Sequence, residues 1–417
     1  MPESVLVYDD RESRPNLVGT LFFDASTRLR SGVSTTFTYD PAWLRRADSY
    51  PIDPALPIFG RSTTVSDLPG CFQDCSPDRW GRNLVTKRLR AESLRAGTTQ
   101  RTLTDVDYLV GVSDLTRQGA LRLRAGADGP FIDPDTSVPK LLALPRLLAA
   151  ADAIARDPDD QSAIKDLLDA GSGSLGGARP KASVRDGEQL MIAKFPHHDD
   201  GWDVMAWEAT ALDLAATCGI DVPERRLTRL DGRGVLVLDR FDRTPEGHRL
   251  PYVSAMTLLG ASDGNPSDYT DICDAISDLG SATTADLAAL WVRVAFSVAI
   301  HNTDDHMRNH GFTRSRGGWT LAPLFDVNPE RDVAKPRVSG IDGARTPADE
   351  TLGLASLAVE CRLGESQRNE AAERVVSAVG EWESVARANG ISESEIASFA
   401  PAIEQGIAAV ESLLDIG

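Results

Sequence analysis

Residues 301–326 read HNTDDHMRNHGFTRSRGGWTLAPLFD, and this stretch decides how the rest of the chain is read. It follows a segment, Asp286 to Ile300, whose pattern predicts a long helix, with Thr283 and Asp286 spaced as a capping box. Asp304, Asp305, His306, Asn309 and a further carboxylate, Asp326, then fall within one short loop–strand–turn passage. Gly311-Phe312-Thr313 and Trp319-Thr320-Leu321 predict two short strands joined by the polar, glycine-bearing SRGG turn. A hairpin of that length folds Asp326 back beside Asp304 and Asn309. An Asp, an Asn five residues on and a later Asp is the arrangement phosphoryl transfer uses. One carboxylate orients the attacking hydroxyl, while the amide and the other carboxylate hold magnesium against the nucleotide phosphates. Asp and Asn are also ordinary turn formers, so taken alone the stretch fits a polar loop between helix and hairpin equally well. The other parts of the chain must decide.

Composition narrows the field. The 417 residues allow two or three domains with sizeable cores, and 41% hydrophobic with 25% charged residues is the balance of an ordinary globular protein. A formal net charge of −18 argues against nonspecific attraction to a phosphate backbone or an anionic membrane, although Arg79 to Arg95 is a local basic segment. Five cysteines, Cys71, Cys75, Cys218, Cys273 and Cys361, have no framework spacing, and Cys71 and Cys75 read as buried thiols rather than metal ligands. MPESVLVYDDRES lacks a basic segment followed by an apolar one, so no secretory signal is expected. No apolar run reaches membrane length, since even the helix before His301 carries Arg293. The expectation is a reduced, cytoplasmic protein without a membrane partner.

Along the chain, Val5 to Tyr8, Leu17 to Phe23 and Thr35 to Tyr39 read as strands of a β-rich start. Arg79 to Arg95 has Trp80, Leu84, Val85 and Leu89 at helical spacing. RAGADGPFIDPDTSV, residues 124–138, is the best candidate boundary, and Pro139 to Ala170 is helical. GSGSLGGARPKASV, residues 171–184, has too many glycines and serines for an element interior and reads as a turn. The strand Gln189 to Phe195 carries Lys194 near its end, which suits a phosphate clamp; a lysine snorkelling from a hairpin explains the same residue. Asp203 to Cys218 reads as a helix whose Glu208 is placed to pair with Lys194, or to face solvent. GVLVLDRFDR, residues 234–243, is a buried strand running into a polar link, the form of an interlobe crossing whose backbone bonds adenine, or of any core strand entering a charged loop. Leu250 to Gly280 is expected to add helices, as are Leu352 to Leu363, Gln367 to Asn389 and Glu393 to Leu414. Each part is weak alone, but their order within one chain is fairly specific.

With these parts in order, the sequence resembles the HipA family, the kinase toxins of bacterial toxin–antitoxin pairs, over nearly its whole length. LVGTLFF, TTFTYDPAWL and FQDCSPDRWGRNL look like that family's N-terminal module, and SLGGARPKASV, MIAKFP, VLDRFDR, HNTDDHMRN and LFDVNP follow in the family's order. The resemblance implies an α+β, two-lobed protein-kinase-like fold. Residues 1–125 would form the β-rich N-terminal module, 139–245 the small lobe with glycine-rich loop and hinge, and 246–417 a helical C-terminal lobe with the catalytic and metal-binding loops.

By the same resemblance Asp304 is the catalytic residue, and Asn309 and Asp326 hold the metal. ATP falls to Gly176, Gly177, Ala178, Lys181 and Lys194, to the hinge Asp239, Arg240 and Phe241, and to His306, Arg308 and Phe325. Ser174 matches the autophosphorylated serine, with Ser172 as a second candidate; nearly two negative charges there would repel the ATP phosphates and silence the enzyme. The implied activity is an ATP- and Mg2+-dependent serine/threonine kinase acting on a translation protein such as an aminoacyl-tRNA synthetase. Its implied inhibitor is a small HipB-like helix-turn-helix antitoxin, with DNA reached only through that partner. Arg179-Pro180 replaces the family's usual Gln-acidic pair, Asp305 adds a second acid expected to face solvent, and Val327 after Asp326 leaves no DFG-type switch.

Three other functions fit parts of the pattern. A small-molecule phosphotransferase of the aminoglycoside-kinase type shares Asp-x4-Asn with a distal Asp, but not the N-terminal module. A zinc hydrolase would use His301, His306 and His310 with Asp304, at a spacing that suits no single helix face. A catalytically weak corepressor that only holds an antitoxin would not need Asp304, Asn309 and Asp326 intact.

Overall fold

Alternation of apolar and polar residues along Ser4–Asp9 buries Val5, Val7 and Asp9 on one face, and that face starts the core of the N-terminal part. The computed structural model describes residues 3–29, 32–59, 62–99, 102–132, 138–171, 179–262, 264–315 and 317–416. Its contacts gather into two units, Met1–Asp199 with Val237–Val253, and Asp200–Leu236 with Ser254–Gly417.

In the first unit, β1 (Ser4–Asp9), β2 (Asn16–Leu29), β3 (Gly32–Tyr39), β4 (Thr63–Val65) and β5 (Leu121–Arg124) form one sheet in the order β4-β3-β2-β1-β5. The three strands expected at the start of the chain are all present. The buried end of β1 is satisfied, since Asp9 accepts the Tyr50 hydroxyl (2.9 Å) and the Arg11 amide (3.0 Å). The unit's helices are α1 (Pro41–Leu44), α2 (Gly70–Asp74), α3 (Arg79–Arg95), α4 (Asp105–Val110), α5 (Leu144–Arg156) and α6 (Gln161–Asp169). Helix α3 spans the residues its spacing predicts, with Leu84 and Val85 inward, and starts where Asp78 accepts the Gly81 amide at 2.7 Å. Cys71 and Cys75 are buried, free thiols, as expected. After Gly171 the next described residues lead into β6 (Lys181–Asp186) and β7 (Gln189–Lys194), an antiparallel hairpin in which Lys181 faces Lys194.

The second unit opens with α7 (Val204–Thr217) and β8 (Arg225–Leu230), and the chain leaves it within β9 (Arg233–Asp239) and returns within β10 (Tyr252–Ser254). There follow α8 (Ala255–Leu258), β11 (Ser267–Asp268), α9 (Tyr269–Leu279), α10 (Thr283–Ala299), β12 (Gly311–Ser315), β13 (Gly318–Leu321) and β14 (Ser339–Gly340). Helices α11 (Glu350–Glu360), α12 (Glu365–Val379), α13 (Trp382–Ala388) and α14 (Glu393–Glu411) complete it. Helix α10 is the centre. It is apolar nearly all round, which only a helix surrounded by others tolerates, and α9, α11, α12 and α14 pack on it. The buried Trp291 indole donates to the Leu354 carbonyl at 2.9 Å, so its polar end is not wasted. Trp207 of α7 stacks on Phe399 of α14, ring centroids 4.2 Å apart.

One local expectation is corrected. The capping box at Thr283 and Asp286 does not form: Thr283 is already helical, the N-cap is Ala282, and no side chain caps it. Asp286 instead faces the Leu321 backbone of β13, beside Arg293, where the helix packs on the hairpin. The helices expected within Leu250 to Gly280 are α8 and α9, and between them Gly260 and Gly264 take left-handed φ values of +59° and +86° before Pro266.

Helix α14 approaches the end of α10 closely at Gly406, where an added Cβ would stand 2.2 Å from the Val298 carbonyl oxygen. Backbone cannot give way as a side chain can, so Gly406→Ala should cost about 2 kcal/mol despite alanine's better helix propensity. Urea unfolding of the full chain checks this; unchanged stability would contradict the close packing.

Candidate active site

The site begins where α10 ends. His301 takes a left-handed φ of +54°, and the amides of His301 and Asn302 bond back to the carbonyls of Val298 and Ser297, turning the chain off the helix. The loop that follows is pinned by backbone bonds, Glu330 N–H to the His301 carbonyl (3.0 Å) and Val338 N–H to the Thr303 carbonyl (2.9 Å). Asp304 is exposed, and its neighbour is not.

Asp305 is only 6% exposed, which corrects the expectation that it faces solvent. Its carboxylate accepts the Tyr269 hydroxyl at 2.6 Å and the Ser297 hydroxyl at 3.3 Å, and His310 Nε2 lies 3.0 Å away. The Ser339 hydroxyl donates to its carbonyl at 2.6 Å. Arg337 closes the cluster, donating to Ser297 Oγ (2.7 Å), the Asn302 carbonyl (3.0 Å) and Glu350 (3.0 Å). Burial alone raises the Asp305 carboxyl, but His310, Tyr269 and Arg337 outweigh it and hold the group well below the usual carboxylate range. Burial and the Asp305 charge push the Tyr269 phenol up, so it stays a donor. Arg293, seen in the sequence only as a charge on an apolar helix, is buried beside Asp221, Asp286 and Asp305, and burial presses it down to about 10.

Asn309 ends a short 3-10 turn, Met307–Asn309, and is 7% exposed. Its amide nitrogen donates to the Asp304 carbonyl at 3.3 Å, which orients the amide so that Oδ1 is the atom available to a cation. The predicted hairpin is present as β12 and β13, in the register Phe312↔Leu321, Thr313↔Thr320 and Arg314↔Trp319. Ala322 N–H closes its base on the Gly311 carbonyl (2.8 Å), and Leu324 N–H bonds the Asp221 carbonyl (2.8 Å). Asp326 then adopts a left-handed φ of +56°, a conformation that costs a non-glycine residue on the order of 1 kcal/mol. A carboxylate and an amide oxygen, the groups Asp326 and Asn309 carry, are hard donors of the kind that suits magnesium. The zinc reading loses its ligands, since His301 Nε2 contacts the Asp332 carbonyl (2.9 Å) while His310 faces Asp305. Half-buried His306 and Arg308 line a cavity of about 550 Å3 with Met256, Asn265, Val338 and Arg345. Phe325 is half-buried, and Glu208 is 1% exposed on α7.

In the first unit, Lys194 ends β7 at 8% exposure and Lys181 opens β6 at 2%. Lys181 Nζ donates to Asp78 at 2.8 Å. In the expected hinge, Gln189 donates to the Asp239 carboxylate, and the Phe241 ring lies 5.9 Å from that of Tyr252. The Arg240 guanidinium is committed to Asp242 (2.8 and 2.6 Å) and the Thr116 carbonyl (2.7 Å). Gly176, Gly177, Ala178, Ser172 and Ser174 lie outside the described residues. Sequence reasoning missed Tyr269, Ser297, Arg337 and Asp78. Only Asp78 left a local signal, an Asp three residues before a glycine at the start of a helical pattern.

The family described as HipA-like C-terminal domain matches residues 173–403, and that described as HipA N-terminal domain matches residues 15–101. The chain belongs to the HipA family. HipA of the Shewanella oneidensis MR-1 toxin–antitoxin system, solved with HipB and operator DNA, covers 99% of this chain and 100% of its own at a TM-score of 0.69 and 17% identity. That likeness is one of fold, and it bears out the α+β, kinase-like HipA architecture. Toxin YjjJ of Escherichia coli K12 is 27% identical over 167 residues, 37% of this chain and 38% of its own. The chain spans less than half the length of the curated relatives it matches. Among the described residues no helix is long and apolar enough to cross a membrane.

The Asp305 cluster has a pH signature. A carboxyl whose folded value is depressed contributes stability above its unfolded value, about 3.9, and loses it as pH falls through the folded value. Asp305→Asn should therefore cost on the order of 3 kcal/mol at pH 7, with the gap to wild type shrinking as pH drops below about 4. Urea unfolding at pH 7 and pH 3 measures this, and an equal gap at both values would refute it.

Proposed function

We propose that this HipA-family chain is an ATP- and magnesium-dependent kinase that phosphorylates serine or threonine of a protein. The observation that carries the reading is the division of labour between adjacent acids: Asp305 is locked into the fold, which leaves Asp304 exposed on a loop that cannot drift. Asp304 accepts or orients the substrate hydroxyl. Asn309 and Asp326 would hold the metal, which supplies charge neutralisation at the phosphates when bound. Lys194, with Gly176, Gly177 and Ala178, positions the phosphates, Glu208 serves as partner of Lys194, and the hinge Asp239 to Phe241 receives adenine. His306, Arg308 and Phe325 line the nucleotide. Residues 1–125, 139–245 and 246–417 divide this work as N-terminal module, small lobe and C-terminal lobe.

Regulation follows the same logic. Phosphate on Ser174, or on Ser172, opposes the charge of ATP and turns the enzyme off. A helix-turn-helix antitoxin of the HipB type inhibits the chain and carries it to DNA, a role supported by the HipB and operator DNA bound to the Shewanella protein. A net charge of −18 fits a protein that does not hold DNA unaided. The substrate class is a translation protein such as an aminoacyl-tRNA synthetase.

Incubation of the purified chain with labelled ATP and magnesium, followed by mapping of the label, tests this. Label is expected on Ser174 and on added protein rather than on small alcohols. Asp304→Asn and Asp326→Ala should each reduce it by at least about 100-fold. Undiminished labelling in either variant would sink the assignment.

A further inference from the structure

Directly opposed residues of an antiparallel pair project from the same face of the sheet, their Cβ atoms roughly 5 Å apart. Lys181 and Lys194 are such a pair, and both are buried. Two lysines that leave one face of the sheet side by side and away from water need an anion. For Lys181 it is Asp78, from the N-terminal module, at 2.8 Å with both side chains buried. The other oxygen of Asp78 accepts the Gly81 amide at 2.7 Å as the cap of α3. Gripped on two sides, this carboxylate is a fixed anchor.

The same module holds two neighbouring pieces. At Gly171, which opens the glycine-rich segment, φ is +67° and an added Cβ would stand 2.6 Å from the buried Thr116 side chain. The Thr116 carbonyl accepts Arg240, and the Gly119 amide donates to Asp242 at 2.8 Å. Arg243 donates to the Arg117 carbonyl (2.9 Å) and Arg249 to the Asp114 carbonyl (2.6 Å). Residues 114–119 thus seat the start of the glycine-rich segment and the expected hinge, while Asp78 seats the strand on the segment's far side.

We infer that the N-terminal module is part of the frame of the nucleotide site, and that Asp78 is a positioning residue whose ion pair turns Lys181 into an anchor of β6. Lys194 keeps the phosphate role proposed above. The inference rests on the kinase reading and assigns Lys181 a different task from the phosphate contact that the resemblance implies.

The test is ATP binding by calorimetry with magnesium present. It uses the full chain as wild type, Asp78→Asn, Lys181→Met and the double variant, at a temperature where circular dichroism shows each folded. Asparagine keeps an oxygen for the α3 cap, so the substitution removes the ion pair and little else. Each single change should raise the ATP Kd about tenfold or more, and the double change no further, because the pair acts as a unit. If Asp78→Asn alone does not fold, the comparison moves to the Lys181→Met background, where it should leave Kd unchanged. Asp78→Asn binding ATP like wild type, with or without a lower melting temperature, would overturn the inference. So would a loss confined to Lys181→Met, which would make Lys181 a direct phosphate ligand, or additive losses in the double variant. A wild type that binds no ATP would instead overturn the kinase reading and this inference with it.

Discussion

A buried carboxylate, Asp305, follows the largely buried helix α10 and gathers Tyr269, Ser297, His310 and Arg337 around it. A charge taken out of water is tolerated only when its lone pairs are met. Meeting them draws α9, α10, the loop after α10 and the segment near Arg337 into one arrangement. Arg337 extends the chain of contacts to Glu350 at the start of α11. Asp304, one residue earlier, stays exposed, and the His306 amide bonds its carbonyl at 3.2 Å in a tight turn.

The first unit uses the same device for a different purpose. Asp242 is buried among Arg240 and Arg243; burial would raise its carboxyl, but the two guanidinium groups hold it below the usual range. Arg249 joins the group, reaching backbone carbonyls at Asp114 and Gly119. Guanidinium groups suit this work because several fixed donors can meet several carbonyls at once. Such clusters contribute more to geometry than to net stability, since desolvation cancels much of the attraction. Here the geometry joins residues 114–119 to residues 240–249 across more than a hundred positions of sequence.

Much of the local structure was legible because it rests on short-range rules. The strands near Val5, Leu17 and Thr35, the helix Arg79–Arg95 and the β12–β13 hairpin follow from alternation, helical spacing and a glycine-bearing turn. The capping box at Thr283 was misread for an equally clear reason. The spacing was right, but Asp286 found a better use against Leu321, a contact with a strand that comes later in the chain. Asp305 was misread likewise, since nothing beside it announces that Tyr269, 36 residues earlier, donates to it.

The sequence by itself determined the element types, the absence of a cysteine framework, the order of the chemistry-bearing motifs and the resemblance to HipA. These depend on residue identity and spacing, which local backbone physics converts directly into structure. Only the tertiary structure decided which of two adjacent acids is exposed, that Lys181 is tied to Asp78, and that Arg240 supports the fold. Each of those outcomes is a choice of partner for a charged group. Burial forces that choice, and partners such as Tyr269, Asp78 and Thr116 lie tens to more than a hundred residues away, where no local pattern reaches.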